Sequence, residues 1–172
     1  AITLVIEEDG QEKSLQNELR IAALSHFSLS GQYAVKANNS ELTVDTAVQA
    51  WNVCISVINE SDPVIRKKLI VILRQLIDCM LTVSTGNVKG AANGDDDDDE
   101  DSSDDDKEFA SLVGSLKQQF YLAFIDVYAQ EKLWDKASQV VLEAFQHVAV
   151  VLQKPLWKWR VIVMSKRGKS VL

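Results

Sequence analysis

Histidine, cysteine, proline and glycine are all scarce in this chain: two, two, two and seven among 172 residues. Catalysis near neutral pH most often recruits histidine. His26 precedes Phe27 and Ser28, and His147 has Glu143 four residues before it, which predicts a surface i,i+4 pair rather than a reactive group. Cys54 and Cys79 sit in apolar, helical stretches far from other thiols or imidazoles. They read as reduced thiols acting as small hydrophobes, which excludes a zinc or redox motif and favours a reducing compartment. A glycine-rich phosphate loop, a Gly-x-Ser-x-Gly elbow and a His-Glu-x-x-His pair are all missing from the sequence. The expectation is a protein that is not an enzyme and has no cofactor, metal or small-molecule substrate.

Long apolar runs are also lacking. No segment approaches the roughly 18 to 20 residues a membrane helix requires, and the opening Ile2 to Ile6 is too short and lacks the basic start of a signal peptide. A soluble protein is expected. The chain starts at Ala1 without methionine and stops just after Gly168-Lys169-Ser170, which suggests a piece of a longer protein.

The acidic balance is concentrated in one place. The formal charge is −7, but Asp95 to Asp106 holds ten acids, and without them 18 bases stand against 15 acids. The body is therefore mildly basic. Ser84 to Gly94 is rich in glycine, asparagine and alanine, with little to bury and much backbone freedom to lose. Residues 84–106 read as a disordered acidic insertion within a single helical segment spanning 1–172. Calcium binding fails on pattern: after Asp97, Asp99 and Asp101 the sharp-turn position is Ser102 rather than glycine. Ser102 and Ser103 each have an aspartate three positions later, making them candidates for an acid-seeking kinase.

Elsewhere the apolar residues recur at spacings of three and four, the signature of amphipathic helices. Leu15 to Lys36 has that periodicity through Leu15, Leu19, Ala22, Ala23, Tyr33 and Ala34, with a possible break at Ser28 to Gly31. Ser40 can cap a helix from Leu42 to Ile58 carrying Val44, Ala47, Val48, Trp51, Cys54, Ile55 and Ile58 on one side. Asp62-Pro63 is a cap followed by proline at the first helical position. It opens a helix to Val83 with Leu69, Ile72, Leu73, Leu76, Ile77 and Met80 inward, and Arg66, Lys67, Lys68, Arg74 and Asp78 mainly on the other side. The short link Asn59 to Asp62 predicts that these two helices are antiparallel neighbours. Asp106 is expected to cap a helix from Lys107 to Gln130 bearing Leu112, Leu116, Phe120, Phe124, Val127 and Tyr128. Trp134 to Leu152 forms the next, and Pro155 opens a final helix ending near Gly168. The alternation at Leu4 to Ile6 is too brief for a strand to outweigh this pattern. Six or seven helices in an antiparallel stack are predicted.

Within that stack, Phe124, Tyr128, Trp134, Ala137, Val141 and Ala144 fall where a tetratricopeptide hairpin places its inter-helix contacts, with Tyr128 opposite Ala137. The fold expectation is therefore all-α, an α-solenoid of tetratricopeptide-like hairpins. The end of the chain is basic: Lys154, Lys158, Arg160, Lys166, Arg167 and Lys169 surround Trp157 and Trp159. Leu156, Trp159, Val163 and Trp157, Val161, Met164 keep helical spacing, so packing explains the tryptophans better than a nucleic-acid platform. Lys158, Arg160, Lys166, Arg167 and Lys169 are then a candidate interaction stripe for an acidic partner, such as a tubulin surface or the aspartate run.

The stretch Trp157 to Gly168 resembles a segment of the cilia- and flagella-associated protein 46 family, at Lys158, Arg160, Val161, Val163, Lys166 and Gly168. A weaker likeness joins Ala50-Trp51-Asn52-Val53-Cys54 to the basic Arg66-Lys67-Lys68. Ile125, Lys132 and Ala149 depart from the tetratricopeptide consensus, which expects small residues at the first two and a closing proline at the third. The resemblance implies a cytoskeletal scaffold of the ciliary axoneme, in the central apparatus that regulates motility. Other central-apparatus proteins would be its partners, with no catalytic residues. A soluble cytoplasmic tetratricopeptide adaptor binding a peptide or protein partner is the alternative.

Overall fold

Two turns without glycine decide where the chain doubles back. In the computed structural model, which describes residues 2–60, 62–83 and 104–169 and side-chain surroundings from residue 12 to 168 within them, helix α1 (Ile2–Lys36) is followed by α2 (Ser40–Cys54). Asn38 has φ of 53°. The Asn39 amide donates to Ala34 O at 3.0 Å and the Asn38 amide to Val35 O at 2.9 Å, a Schellman closure that satisfies carbonyls left free at the helix end. The same closure ends α4 (Asp104–Gln130), where Lys132 has φ of 58° and Leu133 N donates to Tyr128 O at 2.9 Å, leading into α5 (Trp134–His147). Both turns are short enough to make antiparallel hairpins.

Between these hairpins lies α3 (Pro63–Thr82), which starts as expected, with the Asp62 carboxylate accepting from Val64 N at 2.8 Å. The other helix starts are corrected. Asn39 rather than Ser40 caps α2, accepting from Leu42 N at 2.9 Å. Helix α4 begins at Asp104, so Asp106 lies in its first turn instead of capping it, and the acids stand at the positive end of the helix dipole. Helix α5 stops at His147 instead of Leu152. Val148 turns extended, Val150–Leu152 form a single 3-10 turn, and α6 (Lys154–Lys169) follows. Gln153 holds that break: its side-chain amide donates to Phe145 O at 3.0 Å and Val148 O at 2.8 Å. All described elements are helical, six α-helices and the 3-10 turn, including the residues around Leu4 to Ile6.

Helix α1 runs unbroken through Ser28 to Gly31, and its inner face is not the one its hydropathy suggests. Asn17, Ile21, Leu24, Ser28, Gly31 and Ala34 are buried, while Leu15, Leu19 and Tyr33 are 58%, 63% and 60% exposed. The reason is closeness. Ser28 donates to Gln75 Oε1 of α3 at 2.8 Å, and a Cβ on Gly31 would lie 3.5 Å from Cys79 Sγ of α3 and 3.8 Å from Thr46 of α2. Small and hydrogen-bonded residues let α1 sit against both helices, so α3 packs chiefly on α1 and α4, and its contact with α2 is slight. The short link between α2 and α3 therefore does not make them close partners. Ile55 lies past the end of α2 and is exposed.

The inward residues expected on α3, from Leu69 to Met80, are all buried. Helix α4 is central, touching α2, α3, α5 and α6. It buries Val113, Leu116, Phe120, Tyr121, Phe124, Ile125 and Val127, while Leu112, expected inward, faces out. Full burial of one such large side chain contributes about 1.5 to 3 kcal/mol. Trp51 of α2 meets Phe120 edge-on at 5.4 Å. Arg66, expected on the polar side of α3, pairs with Glu131 just after α4 and donates to Glu60 O at 3.1 Å. Helix α1 at one end and α6 at the other bracket this core.

Candidate interaction surfaces

A groove of about 500 Å³ runs between α3 and α5, with α4 as its floor. Phe124 and Tyr128 of α4 form the bottom, their rings 4.8 Å apart. Ile70 and Val71 of α3 and Val140 of α5 supply apolar walls. One end is closed by a bridge: Arg74 donates to both Glu143 oxygens at 2.8 Å, and Tyr121 donates to Glu143 Oε1 at 3.1 Å from a fully buried ring. Arg74 also holds Asp78 at 3.0 Å. Its hydrogen bond to Glu143 raises the guanidinium pKa, and burial next to the same carboxylate raises that of the Tyr121 hydroxyl. Glu143 thus ties together α3, α4 and α5, and the surface pair expected with His147 gives way to this bridge. The His147 ring instead lies parallel to Tyr121 at 6.5 Å.

At the other end of the groove, Lys136 places its ammonium 6.0 Å from the Tyr128 ring centre. Among the described residues, neither that ammonium nor the Tyr128 hydroxyl has a carboxylate or hydrogen-bond partner. Burial raises the Tyr128 pKa, with Arg74 acting against it.

Of the predicted hairpin contacts, Phe124, Ala137, Val141 and Ala144 are buried, and Trp134 and Tyr128 are partly so. The predicted basic stripe on α6 divides. Arg167 pairs with Asp135 of α5 at 2.8 Å and donates to Ser138 at 3.2 Å. Arg160 stacks on Trp157 and Phe145 at 5.2 and 5.8 Å. Lys158 and Lys166 remain exposed, and the side chain of Lys169 lies outside the described residues, as do Ser102, Ser103 and most of the acidic insertion. Leu156 and Val163 are buried and Trp159 packs beside them, whereas Trp157, Val161 and Met164 are 53%, 69% and 59% exposed. Sequence reasoning missed the groove because its two arginine- and glutamate-bearing faces, 69 residues apart, carry no local signal.

Burial pushes the Cys54 thiol up to about 12 and raises that of Cys79, and both are free. Among the described residues no cluster of three or more metal-ligating side chains occurs, and no helix is long and apolar enough to cross a membrane.

Among the described residues these features define an all-helical fold with an amphipathic groove between α3 and α5 and exposed apolar side chains on α1 and α6. Compared with family models, curated proteins and solved structures, the chain has no match.

Proposed function

We propose that the chain is a non-catalytic scaffold segment, a solenoid-like stack of helical hairpins that docks neighbouring proteins through its end helices. The observation that carries this reading is the pair of exposed apolar faces: Leu15, Leu19 and Tyr33 on α1, and Trp157, Val161 and Met164 on α6. Exposed apolar side chains on one side of a helix favour protein contact, and a stacked helix pair normally covers such a face with the next pair. Lys158 and Lys166 beside the α6 face would favour an acidic neighbour. The location proposed for the scaffold is the central apparatus of the ciliary axoneme, with its proteins or tubulin as partners, and the resemblance of Trp157 to Gly168 is what supports it.

The test is to locate the tagged full-length protein in ciliated cells and compare axonemes with and without the central pair. Retention that depends on the central pair supports the reading, and a diffuse pool indifferent to it overturns it. A second reading, a soluble adaptor for a peptide partner, is favoured by the groove over Phe124 and Tyr128.

A further inference from the structure

We infer that the groove between α3 and α5 binds an extended acidic peptide of a partner protein, one that places an apolar side chain on Phe124 and a carboxylate on Lys136. This inference rests on the adaptor reading, and its failure leaves the scaffold reading standing.

The chemistry comes from the two ends of the groove. Seven residues separate Glu143 from Lys136 on α5, about 10 Å along the helix. At the Glu143 end the one cation is already occupied, because Arg74 holds two carboxylates, Glu143 and Asp78. At the Lys136 end a cation over an aromatic ring has no carboxylate among the described residues. The Tyr128 hydroxyl, also unpartnered there, can donate to the same anion. Between the ends lies an apolar floor of Phe124 with Ile70 and Val140 as walls. An extended chain sends alternate side chains the same way, about 7 Å apart. The Phe124 and Tyr128 rings are 4.8 Å apart and Lys136 lies 6.0 Å from the Tyr128 ring, steps of the same order as that spacing, so an apolar residue with a carboxylate two positions along suits the floor and Lys136. The aspartate run of this chain, Asp95 to Asp106, has the charge but not one apolar residue, so it does not match the floor.

The experiment uses the full chain and three fluorescein-labelled octapeptides read by anisotropy. One alternates leucine with serine and glutamate so that each glutamate follows a leucine by two positions. The second replaces every glutamate by lysine, and the third every leucine by serine. The first is expected to bind in the micromolar to low millimolar range, and the other two at least about tenfold more weakly, a difference of about 1.4 kcal/mol. Lys136→Glu should weaken the first peptide by a similar factor. Val71→Asp, at an exposed wall position where folding is not at stake, should do the same. Lys154→Glu, at an exposed position at the start of α6 away from the groove lining, should leave binding unchanged. Unchanged melting curves for all three variants keep the comparison one of binding. Absence of binding up to millimolar peptide overturns the inference. So does binding indifferent to Lys136→Glu and Val71→Asp, or equally weakened by Lys154→Glu.

Discussion

Replacing Glu143 by alanine probes the junction that holds three helices at once. The substitution strips the acceptor from the Tyr121 hydroxyl, whose ring has no solvent exposure. A buried donor left unsatisfied costs about 1 to 3 kcal/mol. The ion pair with Arg74 adds less, because both side chains are partly exposed (43% and 26%) and Arg74 keeps Asp78. About 0.2 to 1 kcal/mol is appropriate for such a screened pair. The higher helix propensity of alanine returns a few tenths. The net loss is about 1 to 3.5 kcal/mol, which at a urea slope of about 2 kcal/mol per molar moves the midpoint down by about 0.5 to 1.8 M. Urea titrations followed by helical circular dichroism measure it. Glu143→Gln keeps an acceptor for Tyr121 and should lose only the smaller, ionic part. In a Tyr121→Phe background, where the donor is already gone, Glu143→Ala should cost at least about 1 kcal/mol less than in the native chain. Equal costs in the two backgrounds, or a glutamine variant as damaged as the alanine one, would refute the account of the junction.

Lys132→Gly should stabilise the chain by about 1 kcal/mol, since a lysine in the left-handed region at φ of 58° carries a steric penalty glycine does not; a lower urea midpoint would contradict it. Gly31→Ala should raise stability by about 0.5 to 1 kcal/mol, because the new methyl meets Cys79 and Thr46 at ordinary contact distances of 3.5 and 3.8 Å inside a helix. Ala137→Leu should cost about 1 to 3 kcal/mol by overpacking a position with no exposed surface, visible as a lower thermal midpoint. Alkaline pH should weaken the fold through Cys54. The unfolded thiol ionises near 9.0 while the folded one waits until about 12, so its contribution is whole below pH 9 and is lost as pH rises toward 12. Urea midpoints measured from pH 8 to about 11 should fall, and Cys54→Ala should flatten that fall by up to about 1.4 kcal/mol per pH unit.

Helices with strong one-sided hydropathy were legible in the sequence, and α3 is the clear case, since its cap, its proline and every expected inward residue match the structure. Helix α1 was legible as a helix but not in its orientation. Its buried side is built from Asn17, Ser28 and Gly31 among larger residues, and no propensity scale ranks such a face as the inner one. The end of α5 was also hidden. Val148 to Leu152 has the composition of a helix, and the break depends on Gln153 reaching back to carbonyls five and eight residues away. At the groove, Tyr128 reads from sequence as a packing residue, but its place in the groove floor beneath Lys136 follows from how α4 and α5 meet. Arg74 could be placed on the polar side of α3, while its partner on α5 could not, because the pairing exists only after two hairpins have stacked.

The mixed inner face of α1, where Asn17, Ser28 and Gly31 stand among Ile21, Leu24 and Ala34, also bears on how evenly the molecule resists opening. Ser28 and Gly31 bring little apolar surface to their contacts with α3, and Asn17 makes its hydrogen bond to Arg20 within α1 itself. Helices α3, α4 and α5, by contrast, share aromatic and aliphatic burial and the Glu143 junction. Opening free energies in a protein follow such differences in local burial. Amide hydrogens of α1 should accordingly exchange with solvent sooner than those of α3, α4 and α5, as a clasp would that lifts and reseats without the whole chain unfolding; equal protection in hydrogen exchange would contradict it.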